Sequence, residues 1–426
     1  MKSDKIIGVA KVDSSSTFVD NMSLPVHRWY RYSAGYSAEW VKQTVKEYLK
    51  KTKKEKILVL DPFSGSGTTL LACDEIGISS VGYEAHPLVY EIASAKLSWD
   101  ADVEKVKEYT EQVLEKVKEK EYPMADFPLI VTKCYDEKNI EEINSLKNVI
   151  EELYDNSKET SLVWAGFVSM LRAASHAGTA TWQYVLPNKK KAKVLSAYEA
   201  FERQMEMICE DICEFQKKGA QKKSHLFSQD ARKKSEVADA CVDLIITSPP
   251  YANNYDYADA TRLELSVLGR ISSWGDLQTV IRPGLVRSCS QMVSRERNKT
   301  YEFLEDPILA PIHDEIVEVC KQMEAEKENH GGKKNYYTMV ALYFLDMAYV
   351  WRELKRVCKE GAEVCFVIGD SAPYGVYVPV DEWLGKLAIS AGFKEYSFEK
   401  TRDRNVKWKN RKHTVPLKEG RLWVKG

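Results

Sequence analysis

The sequence predicts an α/β fold: a parallel sheet with helices on both faces. Two observations carry that expectation. First, the apolar run KILVLDPF (56–63) has the length of a buried strand, SGSG (64–67) forms a tight turn, and TTLLACDEIG (68–77) reads as a helix closed by Gly77. A second strand, SSVGYEAH (79–86), follows. Strand, glycine-rich turn, helix and strand in succession are the unit of a parallel α/β sheet. Second, buried-strand signals return at CVDLIITS (241–248) and AEVCFVIGDS (362–371), far along the 426-residue chain.

The remaining elements follow in order. Residues 101–225 turn helical and charged, with amphipathic stretches such as VEKVKEYTEQVLEKVKEK and AYEAFERQMEMICEDICEF, and read as a helical insertion. The strand at 241–248 lies in a segment spanning 226–270 whose end, ATRLELSVLG, is helical. An irregular polar region fills 271–335. In 336–426 a long helix, YYTMVALYFLDMAYVWRELKRVCKEG, leads into the strand at 362–371. A last helix, VDEWLGKLAISAGF, and RLWVKG, read as an edge strand, close the chain. Residues 1–100 supply the N-terminal segment and the first half of the sheet.

Composition narrows the class. Hydrophobic residues make up 44% and charged residues 29%, the balance of a globular chain. No run approaches the roughly 18 apolar residues of a membrane span, and MKSDKIIGVAKVDSSS lacks the apolar core of a signal peptide, so no membrane and a cytoplasmic location are expected. The nine cysteines include no CxxC pair, which points to neither a zinc cage nor a disulfide framework, and no metal site is expected. A net charge of −1 gives no global signal for a polyanion partner, so any such contact must be local. The basic clusters at 51–56, 188–193 and 217–223 read as ordinary solvated lysines. The segment 402–413 differs, because it interleaves Trp408 with Lys407, Lys409, Arg411 and Lys412, a mixture suited to phosphate contact and base stacking.

The chemistry concentrates in two places. In DPFSGSGTT, Gly65 and Gly67 let the backbone turn sharply at a strand end, so that a ligand can approach the following helix closely. No lysine follows Gly67, which disfavours a P-loop, and Leu70 stands where a dinucleotide fingerprint needs its third glycine. Glu84 follows the second strand, near the offset at which a carboxylate grips ribose hydroxyls. The other place is TSPPY (247–251), where a rigid Pro-Pro corner ends an apolar strand between a hydroxyl and an aromatic ring. Beyond it, Asn253, Tyr255 and Tyr257 either line a base pocket, contact a nucleic-acid strand or cap the next helix. His27 and His86 read as structural or cofactor-adjacent groups rather than general bases.

Together, DPFSGSGTT and IITSPPY resemble the S-adenosylmethionine-binding and catalytic motifs of the DNA amino-methyltransferases, which methylate exocyclic nitrogens. The resemblance implies a Rossmann-like methyltransferase sheet, S-adenosylmethionine as cofactor, DNA as partner, and a cognate restriction endonuclease as a further candidate partner. Serine before Pro-Pro-Tyr is characteristic of the cytosine-N4 branch, and aspartate or asparagine of the adenine-N6 branch. The order here, cofactor motif before catalytic motif, departs from many cytosine-N4 members. HRWYRYSAGYS (27–37) resembles the family's segment over the methionine end of the cofactor, and Asp230 in SQDAR lies where the family's adenine-contacting acid would. By resemblance the cofactor is held by Tyr32, Ser33, Asp61, Phe63, Gly65, Ser66, Gly67, Thr68, Glu84 and Asp230, and the target amine by Ser248, Pro249, Pro250 and Tyr251. One insertion, 271–335 being the candidate, is expected to read the target sequence. An RNA substrate and a catalytically silent binding subunit are the competing readings.

The motif suits the chemistry. An exocyclic amine is a weak nucleophile because its lone pair is delocalised into the ring, so acceptors must draw the nitrogen toward tetrahedral geometry. Pro-Pro fixes the backbone and carries no N–H donors, Ser248 and the Pro249 carbonyl supply acceptors, and Tyr251 stacks on a base flipped from the duplex. Carbon-5 methylation would require a Pro-Cys nucleophile, and none of the nine cysteines follows a proline.

Overall fold

The computed structural model describes residues 18–32, 35–180, 183–331, 334–404 and 415–426. Its strands are β1 (Leu58–Asp61), β2 (Ser79–Tyr83), β3 (Ala177–Thr179), β4 (Val185–Lys190), β5 (Ser224–Phe227), β6 (Val242–Thr247), β7 (Cys358–Gly369), β8 (Glu395–Arg404) and β9 (Leu417–Lys425). Seven form one sheet in the order β5-β2-β1-β6-β7-β9-β8, parallel from β5 to β7, with β9 antiparallel to both β7 and β8. β3 and β4 pair as a separate antiparallel ribbon.

Alternation along the central strands explains why helices cover both faces. Val59, Leu244, Ile246, Cys365 and Val367 point to one side, where Trp40, Val41 and Val45 of the helix Ala38–Thr52 pack. Leu60, Ile245, Val364, Phe366 and Ile368 point to the other, against the helix Tyr336–Val357. There Trp351 stacks on Phe366 with ring centres 4.5 Å apart.

The segment 101–225 is helical as expected, but it also holds the β3–β4 ribbon, and β5 begins inside it at Ser224. Its helices share one apolar cluster with Leu70, Leu71, Leu88 and Ile92 of the sheet-flanking helices. Asp211, on the helix Ala197–Lys217, fixes the N-terminal segment. Its carboxylate accepts hydrogen bonds from the Val26 N–H (3.0 Å), the Arg28 guanidinium (2.6 and 3.0 Å) and the Trp29 indole N–H (2.9 Å). Val26 is fully buried at φ +64°, a conformation costly for a β-branched residue, so its neighbours must impose it.

Two expectations change. RLWVKG belongs to β9, which lies inside the sheet between β7 and β8 rather than at its edge. The edge is β8, EYSFEKTRDR, whose charges are typical of a protected edge and mask the strand period in the sequence. The region 271–335 is less irregular than its composition implies, since His313–Lys327 is a 15-residue helix. Ile316, Cys320 and Met323, one face at i, i+4 and i+7, are buried in the cluster around Tyr336–Val357. Among the described residues no helix is long and apolar enough to cross a membrane.

Asp211→Ala strands two buried N–H donors and releases the strained turn at Val26. We expect a stability loss of about 2–4 kcal/mol, read as a lower urea midpoint. An unchanged midpoint would show that apolar packing alone holds the segment.

Candidate active site

β1 and β6 lie side by side, Val59 opposite Leu244 and Leu60 opposite Ile245, although the chain between them first runs out through β2 and β5. Ligand sites of open α/β sheets form where the strand order reverses in this way, at the carboxyl ends of the strands. The two sequence motifs follow these two strands, so they emerge at one edge. Asp61 closes β1, Thr247 closes β6, and the Thr247 hydroxyl donates to Asp61 Oδ1 at 2.6 Å. Asp61 Oδ2 accepts from the Tyr36 hydroxyl at 2.7 Å, and Oδ1 also accepts from the Phe63 N–H at 3.1 Å. The carboxylate is 1% exposed, and burial raises its pKa against these hydrogen bonds.

The glycine-rich turn is shaped by close approaches. Gly65 adopts φ +51°, and a Cβ there would lie 3.0 Å from the Tyr32 ring. The Gly65 N–H donates to Glu84 Oε2 at 2.8 Å, while Glu84 Oε1 accepts from the His86 N–H at 2.7 Å, so Glu84 fastens the turn to the end of β2. Burial pushes the Glu84 carboxyl up to about 7. Burial likewise lowers His86 to about 4, leaving it neutral, with Nε2 2.9 Å from the Thr261 hydroxyl.

Between these parts runs a narrow cleft of about 760 Å³ counting its open mouth. Phe63–Ser66 and Thr68 line one side, Glu84–His86 and Gln229–Ala231 the next, and Ser248, Pro250 and Tyr257 the far side, with Tyr32 and Tyr36 also on the wall. Two carboxylates, Glu84 and Asp230, face it, and no lysine or arginine lines it among the described residues. Asp230 is held in a two-point pair by Arg232 (2.8 and 2.9 Å), and its Oδ1 also accepts from the Arg232 N–H at 3.0 Å, which leaves a further lone pair on Oδ2.

Of the residues singled out in the sequence, Tyr32, Phe63, Gly65, Ser66, Thr68, Glu84, Asp230, Ser248 and Pro250 come together on this cleft. Four do not line it. Asp61 is buried behind the turn as the tie between the strands, and Gly67, at φ +86°, caps the helix Thr68–Glu75. Pro249 is buried, and Tyr251 lies at the motif's far end, where the Arg404 guanidinium sits 5.6 Å over its ring. Ser33 and the basic cluster's Lys407, Trp408, Lys409, Arg411 and Lys412 lie outside the described residues. His27, itself buried, does have a carboxylate partner, the half-buried Glu75 at 3.3 Å, away from the cleft. Asn253 accepts from the Tyr255 N–H, and Tyr257, edge-on to Tyr255, lines the cleft. Tyr36, Gln229, Leu285 and Val286 line the cleft but were not singled out. Gln229 adjoins Asp230, whereas Leu285 and Val286 come from 271–335, where no motif marks them.

A family model described as a DNA methylase, for the amino-methyltransferases acting at N6 or N4, matches residues 21–95, which hold the glycine-rich turn and Glu84. The Type II methyltransferase M.AvaI of Nostoc sp. is 27% identical over 419 residues, covering 88% of this chain and 81% of that protein. M.BsoBI of Geobacillus stearothermophilus is 26% identical over 425 residues, covering 88% and 80%. The chain is thus similar to the N4/N6 amino-methyltransferases of DNA, in the family model over residues 21–95 and in whole-length relatives over most of the chain. M.MjaII of Methanocaldococcus jannaschii adds a short match, 38% identical over 84 residues, 20% of this chain and 16% of that one.

The family's methyl donor is S-adenosylmethionine. The cleft fits it: a sulfonium cation suits a wall with two carboxylates and no cationic side chain among the described residues, and a nucleotide phosphate does not. The Glu84 environment is directly measurable. Its carboxyl carbon resonance is expected to titrate with a midpoint near 7 in the ligand-free protein, and a midpoint near the ordinary 4.3 would contradict the buried geometry.

Proposed function

We propose that this chain is a site-specific DNA methyltransferase that transfers the methyl group of S-adenosylmethionine to the exocyclic N4 amine of cytosine in a flipped-out base. The observation that supports it most is the adjacency of Ser248 to the acid-lined cleft: one wall of the slot is the catalytic motif itself. When bound, S-adenosylmethionine supplies an electrophilic methyl group. Tyr32, Phe63, Gly65, Ser66 and Thr68 enclose the cofactor, Glu84 takes the ribose hydroxyls and Asp230 the adenine amine. Gly67 and Asp61 act one step back, through the helix cap and the strand tie.

The Ser248 hydroxyl donates to the Val367 carbonyl at 3.2 Å, so its proton is engaged and its oxygen lone pairs remain for a substrate N–H. Together with the Pro249 carbonyl, it accepts from the two amine hydrogens and shifts electron density onto the nitrogen. Pro250 keeps the corner rigid. Tyr251 stacks on the extruded base, and Arg404 over its ring supports the same platform. The segment 271–335 reads the target sequence, and the chain, which is similar to proteins named Type II methyltransferases, protects DNA against a cognate endonuclease. Adenine N6 is the second reading, favoured by the order of the motifs along the chain.

Ser248→Ala and Tyr251→Ala are each expected to lower methyl transfer about 100-fold or more while cofactor affinity stays within about threefold. Nucleoside mass spectrometry of DNA methylated in vitro fixes the atom. N4-methylcytosine supports the main reading, N6-methyladenine replaces it with the second, and transfer only to RNA, or none, overturns both.

The Glu84 carboxyl also sets a pH dependence. It is neutral below about 7 and ionised above, and only the ionised form accepts from both ribose hydroxyls and the loop N–H. Cofactor affinity is therefore expected to rise from pH 6 to pH 8 in titration calorimetry and to be flat over that range in Glu84→Gln. A wild type whose affinity falls with pH would exclude this role.

A further inference from the structure

Beside the catalytic loop lies a second, polar pocket of about 860 Å³ counting its open mouth, bordered by Trp274, Gln278, Gln291, Arg295, Lys334 and Asn335. It is built onto the loop that follows TSPPY. The Ser290 N–H donates to Asn254 Oδ1 at 2.8 Å, and the Asn254 N–H donates to the Ser288 carbonyl at 3.1 Å. Arg282, 2% exposed, pairs with Asp256 at 2.5 Å, donates to Gln278 Oε1 at 3.0 Å and lies 4.5 Å over the Trp274 ring. Asp256 caps the short helix Tyr257–Ala260, and Tyr257 lines the cofactor cleft. The pocket is therefore tied to the loop that follows the catalytic motif.

Three features of the pocket point to a ligand. Trp274 is 44% exposed although a buried guanidinium braces its ring, an arrangement that makes a rigid stacking plate. Asn335 is 5% exposed, and its Oδ1 is buried without a hydrogen-bond partner among the described residues, a cost that a donor entering the pocket would remove. Three amide side chains, Gln278, Gln291 and Asn335, stand on the wall beside Ser290 and Ser294; Gln278 is bonded at both ends, and the paired donor and acceptor of an amide such as Gln291 match the edge of a base, adenine best. Arg295 and Lys334 are exposed at the rim, where phosphates would lie.

We infer that Gln291 and Asn335, with Trp274 as the stacking plate, read the edge of a base pair adjoining the flipped target and so set part of the recognition sequence. This rests on the DNA methyltransferase reading above. It gives the segment 271–335 a mechanism, with named side chains for base readout and others for backbone contact.

The test methylates a pool of random-sequence duplexes with wild type, Gln291→Ala, Asn335→Ala and Arg295→Ala, then sequences the methylated positions. Gln291 is half-buried and outside the cofactor cleft, so its variant is expected to keep the melting temperature and cofactor affinity of the wild type. Gln291→Ala and Asn335→Ala should keep the target base but lose discrimination at one flanking position, by about 5- to 150-fold for a two-point contact. Arg295→Ala should slow methylation of every sequence alike and make it less salt-sensitive. Should Asn335→Ala fail to fold, Gln291→Ala and Gln291→Glu decide the matter alone. An unchanged motif from the Gln291 variants, whatever the rate, overturns the inference. A wild type that methylates nothing in the pool instead overturns the underlying function, so the two failures are distinct.

Discussion

One hydrogen bond between two strand ends organises the molecule: the Thr247 hydroxyl on Asp61, 186 residues apart in the chain and 2.6 Å apart in space. A buried carboxylate is tolerated only when its lone pairs are satisfied, and here Tyr36, Thr247 and the Phe63 N–H do so. The tie therefore holds the N-terminal segment, the glycine-rich turn and the catalytic motif in one register. The residues of both motifs that line the cleft take their position from that point, as does Tyr32, which reaches Gly65 a few residues before Tyr36.

The helices outside the sheet serve the same end. Asp211 fixes the segment 26–29 from the helical layer, and that segment leads directly to the tyrosines over the cleft. On the opposite side the long helix Tyr336–Val357 backs β6 and β7, so the Val367 carbonyl that engages Ser248 stands on a rigid strand. The cleft thus lies between two clamps, one electrostatic and one apolar.

Much of this was legible in the sequence because it depends on local rules. The strand–turn–helix unit, the long buried helix and the two motifs each announce themselves within a dozen or so residues, through apolar runs, glycines and prolines. What escaped depends on partners distant in sequence. Nothing in DPFSGSGTT says that Asp61 will turn inward to a threonine on another strand rather than outward to a ligand. β8 was missed because its charges serve an edge. Leu285 and Val286 reach the cleft only because 271–335 folds back over it, and the helix His313–Lys327 was hidden by the charged residues between its three buried positions.

The acidic wall has an implication for turnover. Loss of a methyl group converts a sulfonium into a neutral thioether, so the spent cofactor is one positive charge poorer than the fresh one. A slot whose lining holds Glu84 and Asp230, the second of them already paired with Arg232, and no lysine or arginine among the described lining residues, can sense that difference, chiefly through Glu84. At the spacing of neighbouring groups in a partly buried site, a unit charge counts for up to a few kcal/mol. The same electrostatics that favour loading would therefore loosen the exhausted molecule, and the reaction itself would act as the signal to exchange it.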